Sequence, residues 1–150
     1  MSGRIAFNHL GQCVADLERA KRFYIDLFGF TLERELSPSD KLSAPLLGLE
    51  PPLGMTASYL TRDGLVLELI HFGAPEHRVA FRPRAVDEPG LTHISLSVED
   101  FDGVLARIPD YGGEVIAATN VGLGVFVRDP DGQLVELLPI AYRDRLDART

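Results

Sequence analysis

The chain holds a single cysteine, Cys13, in 150 residues. That excludes an intrachain disulfide and fits a reducing compartment, so the expected location is cytoplasmic. Positive charge is in short supply: 15 Lys and Arg face 22 Asp and Glu, for a formal net charge of −7. A nucleic-acid backbone or an anionic membrane surface calls for a basic face, so the expected partners include no nucleic acid and no membrane. No apolar run reaches the roughly 18–20 residues of a membrane span. The opening residues, Met-Ser-Gly-Arg-Ile, lack the apolar core of a secretory leader. What is left is an ordinary globular composition, 45% hydrophobic and 25% charged, and a length suited to one domain or to two small half-domains sharing a core.

What the chain does have is a repeat. His9 opens the string H-x-x-x-x-V-x-D with Val14 and Asp16, and His93 opens it again with Val98 and Asp100. Asp63, Gly64, Glu68 and Leu69 spell D-G-x-x-x-E-L, and so do Asp131, Gly132, Glu136 and Leu137. The order His then Glu therefore occurs twice, with each His on one expected strand and each Glu on another.

The local patterns give each half the same plan. Residues 5–14 read as a strand with His9 in its middle. Residues 16–28 read as a helix capped by Asp16 and stopped by Gly29, with Phe23 and Tyr24 on its core face. Residues 30–36 alternate like a half-exposed strand, and 37–54, rich in Pro and Gly, read as loop. Two strands, 55–61 and 65–72, flank the Asp63-Gly64 turn. A polar connector follows at 73–90. The pattern then restarts with a strand at 91–98, a short helix at 100–109 that Asp100 can cap, strands at 114–119 and 123–128, a turn at 129–132 and a last strand at 133–139. The charged tail, 140–150, is expected to fray. The interval from His9 to Glu68 exceeds that from His93 to Glu136. Most of the excess lies in 37–54, which makes that stretch a candidate lid or pocket wall.

Strand alternation puts Glu68 opposite Leu65, Leu67 and Leu69, and Glu136 opposite Val135 and Leu137. A carboxylate set in an apolar strand faces a desolvation cost of several kcal/mol unless it is paired or coordinated. The same predicament arises twice, at matching places in a repeat, each time with a histidine in reach. One divalent cation answers both carboxylates and both imidazoles at once, so His9, Glu68, His93 and Glu136 form the expected metal-ligand set. His71, three residues past Glu68, faces the other way and reads as structural or solvent-facing. His77 lies in the connector with no assigned partner. Asp16 and Asp100 read as helix caps rather than catalysts.

The strings HLGQCVADLERAKRFYIDLFGF, LTHISLSVEDFD and FVRDPDGQLVELL, together with the repeat, resemble the vicinal oxygen chelate superfamily, the glyoxalase, bleomycin-resistance and extradiol-dioxygenase fold, over roughly residues 5–139. The resemblance implies an α+β fold of two βαβββ modules forming an open, incomplete β-barrel around a metal site. It divides one domain into module 1 at 5–72, the connector at 73–90 and module 2 at 91–139. Family ligands come from the first and fourth strand of each module, which here are the positions of His9, Glu68, His93 and Glu136. Two His and two Glu are similar to the glyoxalase I type of site, which suits Ni, Co, Zn, Mn or Fe. The implied chemistry is proton abstraction next to the carbonyl of a small hydroxy-carbonyl substrate, with Glu136 as the base and Glu68 as the second carboxylate, in an isomerase, epimerase or lyase. The resemblance also implies a homodimer. Two alternatives stay open: an Fe(II)-dependent extradiol-type dioxygenase, which Glu68 disfavours by occupying a position needed for substrate or O₂, and a metal-free antibiotic- or ligand-binding protein.

Three departures narrow the substrate. Glyoxalase I carries an Arg four residues after its first ligand and an Asn four after its second, and both contact glutathione; here these positions are Cys13 and Phe72. A glutathione hemithioacetal is accordingly a poor expectation. Methylmalonyl-CoA epimerases carry an extra acid on the third strand, and MTASYL at 55–60 has none. The segment RPRAVDEPGLTH resembles a subgroup that includes cyclitol (valiolone-type) epimerases.

Overall fold

The computed structural model describes residues 3–148. Met1 and Ser2, and Arg149 and Thr150 of the tail expected to fray, lie outside the described residues. The chain divides into two compact units, Met1–Val79 and Ala80–Thr150. The boundary falls inside the polar connector, where the sequence changes from one copy of the repeat to the next.

In the first unit, β1 (Leu10–Cys13), β2 (Thr31–Leu36), β3 (Met55–Arg62) and β4 (Leu65–Phe72) form a four-stranded sheet in the order β1-β4-β3-β2. β1 lies parallel to β4, and the other pairs are antiparallel. Helix α1 (Leu17–Lys21) starts at Asp16, whose carboxylate accepts the Arg19 N–H as expected of a cap. The helix does not stay α-helical to residue 28. Its second half, Arg22–Leu27, opens into a π-helical turn, closed by the Phe30 N–H on the Tyr24 carbonyl. That wider turn seats Phe23, Tyr24, Phe28 and Phe30 in the core, with Phe23 edge-on to Tyr24 and to Phe28 at 5.3 and 5.2 Å. Gly29, at φ 66°, ends it.

The second unit repeats the plan with β5 (His93–Val98), α3 (Phe101–Arg107), β6 (Glu114–Val115), β7 (Val125–Arg128) and β8 (Leu134–Pro139), in the sheet order β5-β8-β7-β6. β5 is parallel to β8. Asp100 caps α3 by accepting the Gly103 N–H. The fold class is α+β with two βαβββ modules, as the repeat implied.

Several local expectations are corrected. His9 immediately precedes β1 instead of sitting in mid-strand. All six residues of β2 are exposed, because it is an edge strand bonded on one side, with a register shift between Leu32 and Arg34. The stretch 37–54 is not all loop: it contains helix α2 (Asp40–Leu47) despite Pro45. The strand expected over 114–119 shrinks to two residues and gives way to a 3₁₀ turn, Ala117–Thr119. The tail forms helix α4 (Ala141–Asp147).

Candidate metal and substrate site

Each His–Glu pair is assembled by the same pair of neighbouring strands. In the first unit Gly11 of β1 is in register with Glu68 of β4, and His9, two residues earlier, shares Gly11's face. In the second unit Ser95 of β5 is in register with Glu136 of β8, and His93 stands two residues before it. His and Glu are thus diagonal neighbours on one sheet face, twice. His9 Nε2 comes 2.9 Å from Glu68 Oε2, and His93 Nε2 lies 3.7 Å from Glu136 Oε2.

The histidines are oriented alike. His9 Nδ1 donates to Asn8 Oδ1 at 2.6 Å, and His93 Nδ1 meets the Thr92 hydroxyl at 2.9 Å. In both cases the outer nitrogen is occupied by the preceding residue, and Nε2 is the atom presented to the carboxylate. That is how metal-binding histidines are held: one ring nitrogen anchored outside, the other aimed inward.

Each imidazole also meets an aromatic ring from the third strand of its module. Tyr59, in register with Glu68, lies edge-on to His9 at 5.6 Å. Phe126, in register with Glu136, lies edge-on to His93 at 5.2 Å. The sequence alone gives neither ring a role. Their places in the repeat do not mark them, since Tyr59 stands four residues before Asp63 and Phe126 five before Asp131.

The two carboxylates differ in setting. Glu68 is buried, at 7% exposure. The Tyr59 hydroxyl is hydrogen-bonded to it, and this bond, reinforced by burial, raises the Tyr59 pKa above its ordinary value. The Arg34 guanidinium stacks 4.4 Å over the Tyr59 ring. Glu136 is more open, with 29% of its side chain exposed, and Ser95 Oγ donates to its Oε2 at 2.7 Å.

The donor set within each unit is one nitrogen and one carboxylate, which is half of a divalent-cation site and fits the expected group. Among the described residues no cluster of three or more His, Cys, Asp and Glu side chains forms within either unit. The remaining histidines are structural: His71 Nδ1 donates to the Val14 carbonyl at 3.3 Å, and His77 Nε2 to the Glu50 carbonyl at 2.7 Å. His77 therefore has the partner that the sequence did not reveal.

Comparison with known proteins agrees with this architecture. A probable lactoylglutathione lyase of Synechocystis sp. is 28% identical over 132 residues, which is 83% of this chain and 88% of that one. A glyoxalase family protein of Bacillus cereus superposes with a TM-score of 0.74 at 20% identity, covering 92% of this chain and 95% of its own. The fosfomycin resistance protein FosX of Listeria monocytogenes, in a structure complexed with Mn(II) and sulfate, superposes with a TM-score of 0.58 at 17% identity, covering 94% and 97%. The Glyoxalase/Bleomycin resistance protein/Dioxygenase superfamily profile matches residues 6–137, and the chain, with its paired modules and its twice-built His–Glu pair, belongs to that superfamily.

Proposed function

We propose that this protein is a metal-dependent isomerase, epimerase or lyase, and that His9, Glu68, His93 and Glu136 hold one divalent cation. The observation that carries the reading is the repeated geometry: two Nε2 atoms, each with its Nδ1 anchored by the preceding residue and each facing a carboxylate on the neighbouring strand. The donor set suits Ni, Co, Zn, Mn or Fe. The likeness to a probable lactoylglutathione lyase and to a Mn(II)-containing FosX supports the same class of chemistry. When bound, the cation supplies Lewis-acid polarisation of a substrate carbonyl.

The chain's own residues divide the remaining work by their setting. Glu136 is reachable from solvent and is held by Ser95 through only one of its oxygens, so it is the base that takes the proton from the carbon beside the carbonyl. Glu68 is buried and bonded to Tyr59, which suits a carboxylate that stays in place. In an epimerase Glu68 is the second carboxylate, delivering a proton to the face opposite the one from which Glu136 takes its own. The substrate is a small hydroxy-carbonyl compound, and the reading takes the working form to be a cytoplasmic homodimer.

Proton NMR of protein loaded with Mn, Ni, Co, Zn or Fe in D₂O tests this on a panel of small hydroxy-carbonyl compounds. The expected outcome is exchange of the C–H beside a carbonyl, reduced about 10²–10⁴-fold in Glu136→Gln while the melting temperature holds. Full exchange in Glu136→Gln would move the base elsewhere. Oxygen uptake with a catechol, in place of exchange, would replace the reading with ring-cleaving dioxygenase chemistry.

A further inference from the structure

In the second unit, Arg128 of β7, Leu134 of β8 and His93 of β5 lie in one register row, beside the row Phe126, Glu136 and Ser95. Residues in register, and residues two apart along a strand, share a sheet face. Arg128 therefore stands on the same face as His93 and Glu136, with its backbone two strand spacings, or about 10 Å, from that of His93.

The segment after the unit boundary runs across this end of the sheet. The Phe81 ring packs on Gly132, where a Cβ would come within 2.5 Å of it. Residue 132 must also adopt φ 90°, so glycine is required there for two reasons. Beyond Phe81 the segment is tied back on itself. Glu88 accepts from Arg82 Nη2 at 3.1 Å and from the Ala85 N–H at 3.0 Å, and its carbonyl accepts from Arg84 Nη2 at 3.1 Å. The Ala85 N–H first, and then the Arg82 guanidinium, hold the Glu88 carboxyl below its ordinary pKa.

Between this segment and the β7–β8 hairpin lies an open cleft, lined among others by Phe81, Arg82, Arg84, Arg128 and Leu134. Three arginines line it and no Asp or Glu does among the described residues, in a chain whose net charge is −7. A guanidinium offers five N–H donors. Among the described residues Arg84 spends one on the Glu88 carbonyl, and Arg128 spends one on the Gly132 carbonyl at 3.0 Å. Arginine's planar fork matches carboxylate and phosphate oxygens in pairs.

We propose that this cleft is the subsite for an anionic group of the substrate, a carboxylate or a phosphate ester, gripped by Arg84 and Arg128, with Phe81 and Leu134 against the adjoining carbon skeleton. The inference rests on the reading of His93 and Glu136 as the working end of the site. It assigns the substrate class: a hydroxy-carbonyl compound that is also an acid, its charged group a few bonds from the carbon that loses its proton.

The test separates the cleft from the metal. Metal-free protein is titrated with inorganic phosphate and, separately, with acetate, and NMR follows the Gly132 and Thr92 amides and the arginine Nε–H signals. Saturable shifts at these positions are expected, weakened at least about tenfold in Arg84→Gln and in Arg128→Gln and partly restored in Arg128→Lys, which keeps the charge but not the fork. Arg84 is exposed, so its variant keeps the fold even if an Arg128 variant does not. Absence of saturable shifts in the wild type, or affinity unchanged in Arg84→Gln, would overturn the proposal. Mn(II) affinity is measured on the same proteins by electron paramagnetic resonance and is expected to be alike in all of them. Failure of the wild type to bind Mn(II) would sink the metal reading while the anion titration still judged the cleft.

Discussion

Glu68 carries the clearest physical signature among single residues. It is buried between Leu67 and Leu69, both fully buried, and is bonded by His9 and Tyr59. Removing a hydrogen bond to a buried charged group costs about 1–3 kcal/mol. Tyr59→Phe, which keeps the ring against His9 and loses only the hydroxyl, should therefore lower the melting temperature by roughly 2–8 °C, read by calorimetry. No change in stability would mean that Glu68 does not depend on the Tyr59 hydroxyl. At this scale much was legible in the sequence: an isolated carboxylate among leucines, repeated in step with a histidine, marks a pair that must be satisfied. The aromatic partners were not legible, because a Tyr or Phe in a strand is an ordinary residue until the register sets it across from a particular Glu. Arg84 was hidden for a similar reason, since loop sequence says nothing of which hairpin it will lie against.

Elements were read well where pattern and burial agree, and poorly where packing overrides composition. Helix α2 contains Pro45, which removes a helical hydrogen bond and clashes with the preceding turn. It forms because Ala44 packs into a cluster with Leu53, Met55 and Ala57, and because Asp40 Oδ2 accepts the Leu53 N–H at 3.1 Å. Asp40→Ala should cost about 1–2 kcal/mol, seen as a lower denaturant midpoint with an unchanged slope. A second tie joins α1, β2 and β3. Glu35 Oε2 accepts from Ser58 Oγ at 2.6 Å and from Lys21 Nζ at 3.0 Å, and these partners, Ser58 first, hold its carboxyl below the ordinary value. A depressed folded pKa contributes stability that is complete above the unfolded value and lost as pH falls through the folded one. The wild type should thus exceed Glu35→Gln in melting temperature at neutral pH, and the gap should close on acidification through the carboxylate range. A gap independent of pH would assign the effect to packing.

The whole chain is a duplication, and the duplication is what sequence reveals best. Two copies of a string predicted two modules of one plan, and the sheets β1-β4-β3-β2 and β5-β8-β7-β6 are that plan executed twice. The copies differ where the physics is local. The first carries α2 in its long third connection, the second reduces its β6 to two residues, and the arginine-lined cleft belongs to the second. Each copy supplies half a ligand set, one imidazole and one carboxylate, and half a set is a weak site for a divalent cation. The central claim is that both halves serve the same ion. Metal analysis of wild type, His9→Ala and His93→Ala, loaded with Mn(II) and freed of excess, tests it most directly. The account predicts about one ion per chain in the wild type and loss of most of it in either variant. About two ions per chain, with each variant keeping half of them, would contradict it.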